Sequence, residues 1–343
     1  MRNCSRLNGF GEFQVRRGML DSALAEKYQH QAQMLANRAR KQYRHLKKRF
    51  ARQNIEVFRI YDWDIPEIRA VVDWYGGHLV IGEYTRKQST AEWLPMMGRA
   101  VAEALDIPLE NLHLKQRHTG TSRDPGKKRY ERLARTEQKI ALSERDLKFY
   151  VNLDDFVDTG LFGDHRDTRQ MVRELAQGKD FLNLFCYSGA FTCYAASGGA
   201  ASTISVDRAR TAVRWARENM TLNNIPVEGN TLIQAHVFDY LEQAAVDHRQ
   251  RFDLAVVDPP SFATSRDGAH NMDILRDHPR LLEKTLALMK KGGTLFFFTN
   301  HQDFIPRLEG LKASALAEIT SMTIPEDYRN RKTPIHRCWR ITV

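Results

Sequence analysis

Cysteine is scarce: four in 343 residues, with none in a C-x-x-C or a Cys/His ligand spacing. That pattern argues against structural zinc and a disulfide framework, and for a reducing, cytoplasmic compartment. No apolar run reaches the roughly 18 residues that suggest a membrane span, and the first 20 residues are polar and basic, unlike a signal peptide. The strand-to-helix turn near residue 188 lacks G-x-G-x-x-G, so no pyrophosphate cradle is evident. Acidic charge is short in one place only. Residues 1–54 carry 13 Lys/Arg against 3 Asp/Glu, whereas the remainder carries 39 of each sign. The whole net charge of +10 thus sits in the first sixth of the chain. A phosphate-binding element is one reading and a solvated basic helix without a partner is the other.

What is present is organised around Asp180 to Phe191. An apolar run from Phe181 to Phe185, broken only by Asn183, stops at Cys186-Tyr187-Ser188-Gly189 and restarts with helical character. A helix starting there aims free N–H groups at the carboxyl end of a parallel strand, the ligand position of an open α/β sheet. The next strand, Thr203–Asp207, ends in an acid roughly 20 residues past the turn, where nucleotide-binding folds hold ribose hydroxyls. Arg208 follows it. A ribose without phosphates fits this arrangement, and S-adenosylmethionine is the obvious ligand. The strand Phe252–Val257 then closes on Asp258-Pro259-Pro260-Ser261-Phe262, a rigid loop in which two prolines fix φ and expose carbonyls.

The βα alternation predicts strands near 181–186, 203–207, 231–235, 252–258 and 293–299, closed by a hairpin near 317–323 and 336–342. This implies a Rossmann-like α/β sheet with helices on both faces, spanning 149–343. Residues 55–148 read as a small strand-rich α+β domain. Its strands lie at 55–61, 70–74, 78–84 and 112–116, Gly76-Gly77 makes a hairpin turn, and a helix over 92–105 carries Pro95 in its first turn. Residues 1–54 read as a basic helical arm. Leu24, Tyr28, Leu35, Tyr43, Leu46 and Phe50 form its apolar stripe. The candidate RNA contacts are Arg38, Arg40, Lys41, Arg44, Lys47, Lys48, Arg49 and Arg52. Lys127-Lys128-Arg129, in a polar loop, is either a second contact or an ordinary exposed cluster.

Taken together, the 183–189 turn, Asp207, Asp258-Pro259-Pro260 and Asp158-Thr159-Gly160-Leu161-Phe162-Gly163-Asp164-His165-Arg166 resemble the large-subunit (23S) rRNA methyltransferases of the RlmK/RlmI type. The likeness runs from about Met34 to Val343 and is nearer to the guanine-N7 enzymes, which are often fused behind a second methyltransferase. Tyr61–Glu67 and His336-Arg337-Cys338-Trp339 also match. The resemblance implies the class I S-adenosylmethionine-dependent methyltransferase fold. It implies that Phe162, Asp164 and Arg166 close over the cofactor, with Arg166 suited to its carboxylate. Core packing for Phe162 and a surface ion pair for Arg166 are the alternatives. Asn183 and the backbone of Phe185, Cys186, Tyr187, Ser188 and Gly189 would line the methionine part, and Asp207 would take the ribose. Where relatives place an acid for adenine, this chain has His236-Val237. A neutral imidazole accepts a hydrogen bond and a protonated one does not, so affinity is expected to weaken below about pH 6.5.

The expected partner is large-subunit rRNA, with a separate partner methyltransferase in place of a fused one. Asp258, Pro259, Pro260 and Phe262 are the expected catalytic group. In the cytosine-C5 relatives a nucleophilic cysteine follows the fifth strand, where this chain has Thr299-Asn300-His301. Guanine N7 needs only a held base, and the choice of that atom rests on the resemblance. The alternatives are guanine-N2 or cytosine-C5 methylation, a small-molecule methyltransferase with an incidental basic arm, and a non-catalytic ribosome assembly factor.

Overall fold

The structure, a computed structural model, describes residues 22–85, 89–118, 133–247, 250–263, 271–330 and 333–343. Helix α1 (Ser22–Arg52) is one continuous rod of 31 residues. The antiparallel strands β1 (Val57–Asp62), β2 (Ala70–Tyr75) and β3 (His78–Thr85) follow. Helix α2 (Trp93–Ala104) then crosses over, and β4 (Leu112–His118) pairs in parallel with β3. Both helices cover one face of this sheet. Leu35, Leu46 and Phe50 of α1 share a single core with Phe58, Ile60, Val72, Ile81 and Val101. The helix expected within 1–54 thus docks by its apolar stripe, and it does so as a wall of the small unit rather than as a separate arm. Residues 1–21 and the cluster Lys127, Lys128 and Arg129 lie outside the described residues.

A hairpin of β5 (Ile140–Glu144) and β6 (Leu147–Val151) leads into the second unit. Helix α3 (Arg166–Leu175), β7 (Asp180–Leu184), α4 (Ala190–Ser197), β8 (Ser202–Asp207), α5 (Arg210–Leu222), β9 (Asn230–Gln234), α6 (Val237–Asp247) and β10 (Phe252–Val257) alternate as expected. The two-residue strands β11 (Phe262–Ala263) and β12 (Met272–Asp273) pair beside the Asp258 loop. Helix α7 (Ile274–Leu286), β13 (Met289–Thr299), β14 (Ala315–Glu318), α8 (Thr320–Thr323) and β15 (Arg337–Thr342) complete the chain. The sheet order is β14-β15-β13-β10-β7-β8-β9, parallel except where β15 pairs antiparallel with both neighbours.

Side chains alternate across this sheet with period 2. Leu182, Leu184, Ala255 and Phe297 face α6 and α7; Phe181, Leu254, Val256 and Phe298 face α3 and α4. Two expected boundaries move. Strand β13 starts four residues early because Lys290, in its polar first half, bonds Asp180 and Asp253 at 3.1 and 2.7 Å. The expected strand at 317–323 stops at Glu318, where Thr320–Thr323 turns helical and Thr323 Oγ1 meets His336 Nε2 at 3.0 Å. No helix among the described residues is long and apolar enough to cross a membrane.

Buried ion pairs join the two units. Arg169 is 1 % exposed and grips Glu144, itself fully buried, through two hydrogen bonds of 2.8 and 2.7 Å, and the Tyr194 hydroxyl donates to the same carboxylate. The guanidinium holds the Glu144 carboxyl below its usual range against the opposing effect of burial. Removing one partner of such a pair leaves an uncompensated buried charge, at roughly 3–5 kcal/mol. Glu144→Ala is therefore expected to lower the urea midpoint by an amount equivalent to about 3–5 kcal/mol. An unchanged midpoint would show that Arg169 finds another partner.

Candidate active site

The carboxyl ends of β7, β8 and β10 meet the segment 158–166 over one crevice. After β7 the backbone makes a tight turn with Phe185, Tyr187 and Gly189 at φ of 61°, 46° and 74°. Only glycine serves at 189, since a Cβ there would lie 2.7 Å from the Ala216 Cβ. Helix α4 then starts with no side-chain cap, leaving its first N–H groups to the crevice. The Ser188 hydroxyl donates to Gly160 O, and Asn219 Nδ2 donates to Ser188 O at 2.8 Å. Gly160 (φ 104°) presses on Trp215, whose ring would sit 2.1 Å from any Cβ. Turn and segment are thus fixed to each other.

Asp207 stands at the tip of β8. Its carboxylate accepts from Tyr187 N at 3.0 Å and Ala209 N at 2.8 Å. Two oxygens offer about four acceptor positions, so capacity for a hydroxyl pair remains. Burial raises its carboxyl above the usual range, while the backbone N–H groups and Arg208 oppose that shift. The Arg208 side chain is exposed. Phe162, 40 % exposed, leans on the Tyr187 ring at 5.3 Å and forms an apolar rim. His236 follows β9, with Nδ1 3.8 Å from the Asp239 carboxylate and its ring stacked near Phe238. The Asp239 carboxylate, in the first turn of α6, is thus directed back toward the imidazole.

Four expected contacts are corrected. Arg166 does not reach the crevice. It is 2 % exposed, with Nη2 2.5 Å from Asp327, Nη1 donating to Val57 O, and its plane over Phe50. Asn183 lies beneath the turn, where Nδ2 donates to Thr192 Oγ1 at 2.9 Å, and Thr192 meets Ser205 Oγ at 2.6 Å. Val237 packs its side chain into the core beside Tyr240 and Leu241. Asp164 is held below, bonded to His336 Nδ1 at 3.0 Å.

On the other side, Asp258 follows β10 with 28 % of its side chain exposed. Its Oδ2 lies 3.4 Å from His165 Nε2. Burial, and then the Asp164 carboxylate, push the Asp258 carboxyl up to about 7. Pro259 is buried, Ser261 Oγ donates to Asn300 Oδ1 at 2.6 Å, and the half-buried Phe262 ring meets His301 edge-on at 5.5 Å. Sequence reasoning gave no role to His165, His336, Asn300 or His301. Each stood only inside a longer string: Asp164-His165-Arg166, His336-Arg337-Cys338-Trp339 and Thr299-Asn300-His301. Cys186, Cys193 and Cys338 are buried, and burial pushes each thiol up, Cys193 to about 12.

The residues fit S-adenosylmethionine. The uncapped α4 start and positive-φ turn would take the amino-acid part, Asp207 the ribose, His236 the adenine edge and Phe162 the rim. When bound, the cofactor supplies an electrophilic methyl on a cationic sulfur.

Asp207→Asn exchanges a carboxylate for an amide with one acceptor fewer. It is expected to weaken binding of S-adenosylhomocysteine roughly 10- to 100-fold by calorimetry; unaltered affinity would remove Asp207 from the ribose. His236→Ala is expected to weaken the same binding several-fold. An unaltered affinity would remove the imidazole from the adenine edge.

The model of the S-adenosylmethionine-dependent methyltransferase family matches residues 131–331. Ribosomal RNA large subunit methyltransferase K of Neisseria meningitidis serogroup B is 42% identical over 313 residues, covering 89% of this chain and 86% of that protein. The K/L methyltransferase of Allochromatium vinosum is 40% identical over 319 residues, covering 90% of this chain, which spans only 42% of that longer relative. Among solved structures, SMU.776, described as a methyltransferase and crystallised with SAH, superposes with a TM-score of 0.72 at 21% identity over 92% of this chain and 82% of that one. A methyltransferase from Agrobacterium tumefaciens superposes at 0.55 with 16% identity, over 80% of this chain and 87% of that one. The chain belongs to the S-adenosylmethionine-dependent methyltransferase family, in the group that includes ribosomal RNA large subunit methyltransferase K.

Proposed function

We propose that this enzyme transfers the methyl group to guanine N7 in 23S rRNA. The rRNA substrate is drawn from the relatives, which are large-subunit rRNA methyltransferases by name. The choice of atom is supported above all by the state of the cysteines. Cytosine C5 methylation requires a thiolate poised to attack the ring. The three described cysteines are buried with raised thiol pKa, and no cysteine stands in Thr299-Asn300-His301, after the fifth strand, where the resemblance places that of the C5 relatives. Guanine N7 has an in-plane lone pair and no proton to remove. The protein then has only to hold the base. Phe262 offers a stacking face, Asp258 and the loop carbonyls meet the base edge, and the Pro pair keeps them rigid. Exocyclic amino-group enzymes tend to place an aromatic directly after the Pro pair, whereas Ser261 intervenes here and is tied to Asn300.

RNA would be drawn in by the outer face of α1. Lys41, Arg44, Lys47, Lys48 and Arg52 are exposed. Arg38 is paired with Asp64, and Arg49 sits 2.5 Å from Glu326, so these two serve the fold as much as the RNA. Unstacking a base from folded rRNA costs a few kcal/mol, which phosphate contacts on this face would offset. A non-catalytic assembly factor would have no use for an intact Asp258-Pro259-Pro260 loop.

The test is methyl transfer from labelled S-adenosylmethionine to unmodified 23S rRNA, read by nucleoside mass spectrometry. Label in 7-methylguanosine is expected; label in 5-methylcytidine or an exocyclic amine would overturn the atom. Lys47→Glu with Lys48→Glu is expected to weaken rRNA binding and flatten its salt dependence by roughly two units of log–log slope. Cofactor affinity should be untouched. An unaltered slope would move the RNA elsewhere.

A further inference from the structure

Asp258 is backed by a buried cluster with no part yet in the chemistry. The His165 and His336 rings stack at 4.6 Å and 9°. Phe298 meets His165 edge-on at 4.8 Å and Phe191 at 5.7 Å, so the imidazole has no freedom to turn. It is 6 % exposed, and its Nδ1 has no hydrogen-bond partner. Its Nε2 faces two carboxylate oxygens, Asp258 Oδ2 at 3.4 Å and Asp164 Oδ2 at 3.7 Å. A buried acceptor without a partner is less costly than a buried N–H without one, and two carboxylates call for a proton between them. The ring proton therefore belongs on Nε2.

We propose that His165 is the positioning residue of the methyl-transfer site, donating from Nε2–H to Asp258 and so fixing the carboxyl that meets the target base. The inference rests on the reading of Asp258 as the base-facing carboxylate, but not on which atom of the base is methylated. His165 does this as a neutral donor, since burial pushes its pKa down to about 3. The long contact is of the kind that tightens when a site fills.

The charged and titratable groups around the pair come from every side. Asp164 and Arg169 lie on the same segment as His165, and His336 and Cys338 lie at β15. Arg59 of β1 and Tyr328 act on Asp164. Asp258 has a raised pKa near 7, so its ionised form prevails above that pH and is lost as pH falls through it. If the ionised carboxyl holds the base, methyl transfer rises with pH through about 7. Without the Nε2–H donor the ionised form loses a hydrogen bond, and the rise moves to higher pH.

The experiment compares native enzyme, His165→Phe and His165→Gln in single-turnover methyl transfer to unmodified 23S rRNA across pH, counting all label whatever the atom. A ¹³C titration of the Asp258 carboxyl in cofactor-free protein accompanies it. His165→Phe is expected to slow transfer at pH 7 about tenfold and to raise the Asp258 titration by about one unit. His165→Gln, whose Nε2 amide keeps a donor at the same reach, should recover most of both, and S-adenosylhomocysteine affinity should stay within about threefold in each variant. An identical Asp258 titration in His165→Phe would overturn the proposal. Equal damage in both variants with cofactor affinity lost would also overturn it, as a purely structural role. Label on an atom other than N7 would overturn the proposed target and leave His165 in place. Should the native enzyme label no rRNA, the carboxyl titration alone decides.

Discussion

One turn of α3 holds the two units of this protein together. Arg166 and Arg169 are both almost fully buried, and each spends its guanidinium on an acid from outside its own element, Asp327 and Glu144. Asp327 also accepts from Arg59 N at 3.0 Å, and Arg59 in turn grips Asp73 through two hydrogen bonds. Buried pairs of this kind contribute little net stability over an apolar replacement, but they fix register, because any other arrangement strands a charge. Since Arg166 and Arg169 face the small unit, Asp164 and His165, just before them, are delivered to the opposite side, under the crevice. The lock places the segment that carries Asp164 and His165.

The crevice itself is set from beneath by a second polar device. Asn183, Thr192 and Ser205 form a hydrogen-bonded chain between β7, α4 and β8. Above it, Asp207 accepts from the turn at Tyr187 N. Strand, turn and second strand are therefore one rigid piece. A site that must hold a cofactor and a base in line gains its rate from such fixed orientation, since nothing covalent is asked of the protein.

Much of this was legible in the sequence, for identifiable reasons. Period-2 alternation and the acid at Asp207 gave away the sheet and the tip of its β8 strand, because a buried strand and a strand tip impose opposite demands on composition. Asp258-Pro259-Pro260 was legible because two prolines after an apolar run leave few conformations. The arginine at 166 was not: a guanidinium suits a cofactor carboxylate and a buried aspartate equally, and Asp327 lies 161 residues away in sequence. His165 was hidden by its neighbours in the same string. The α1 helix displayed its charge openly, yet its apolar stripe did not reveal that α2 and three strands would share its core. Strand β13 began early because Lys290 satisfies two acids that only the folded sheet brings together.

The central claim is that Asp258 and its loop hold a guanine with N7 directed at the methyl donor. The most direct measurement is a structure of the protein with S-adenosylhomocysteine and a short guanine-containing 23S rRNA fragment. The account predicts the target guanine flipped onto Phe262, its N7 facing the sulfur and Asp258 at the base edge. A base with its exocyclic amine toward the sulfur, or one bound away from Asp258, would contradict it.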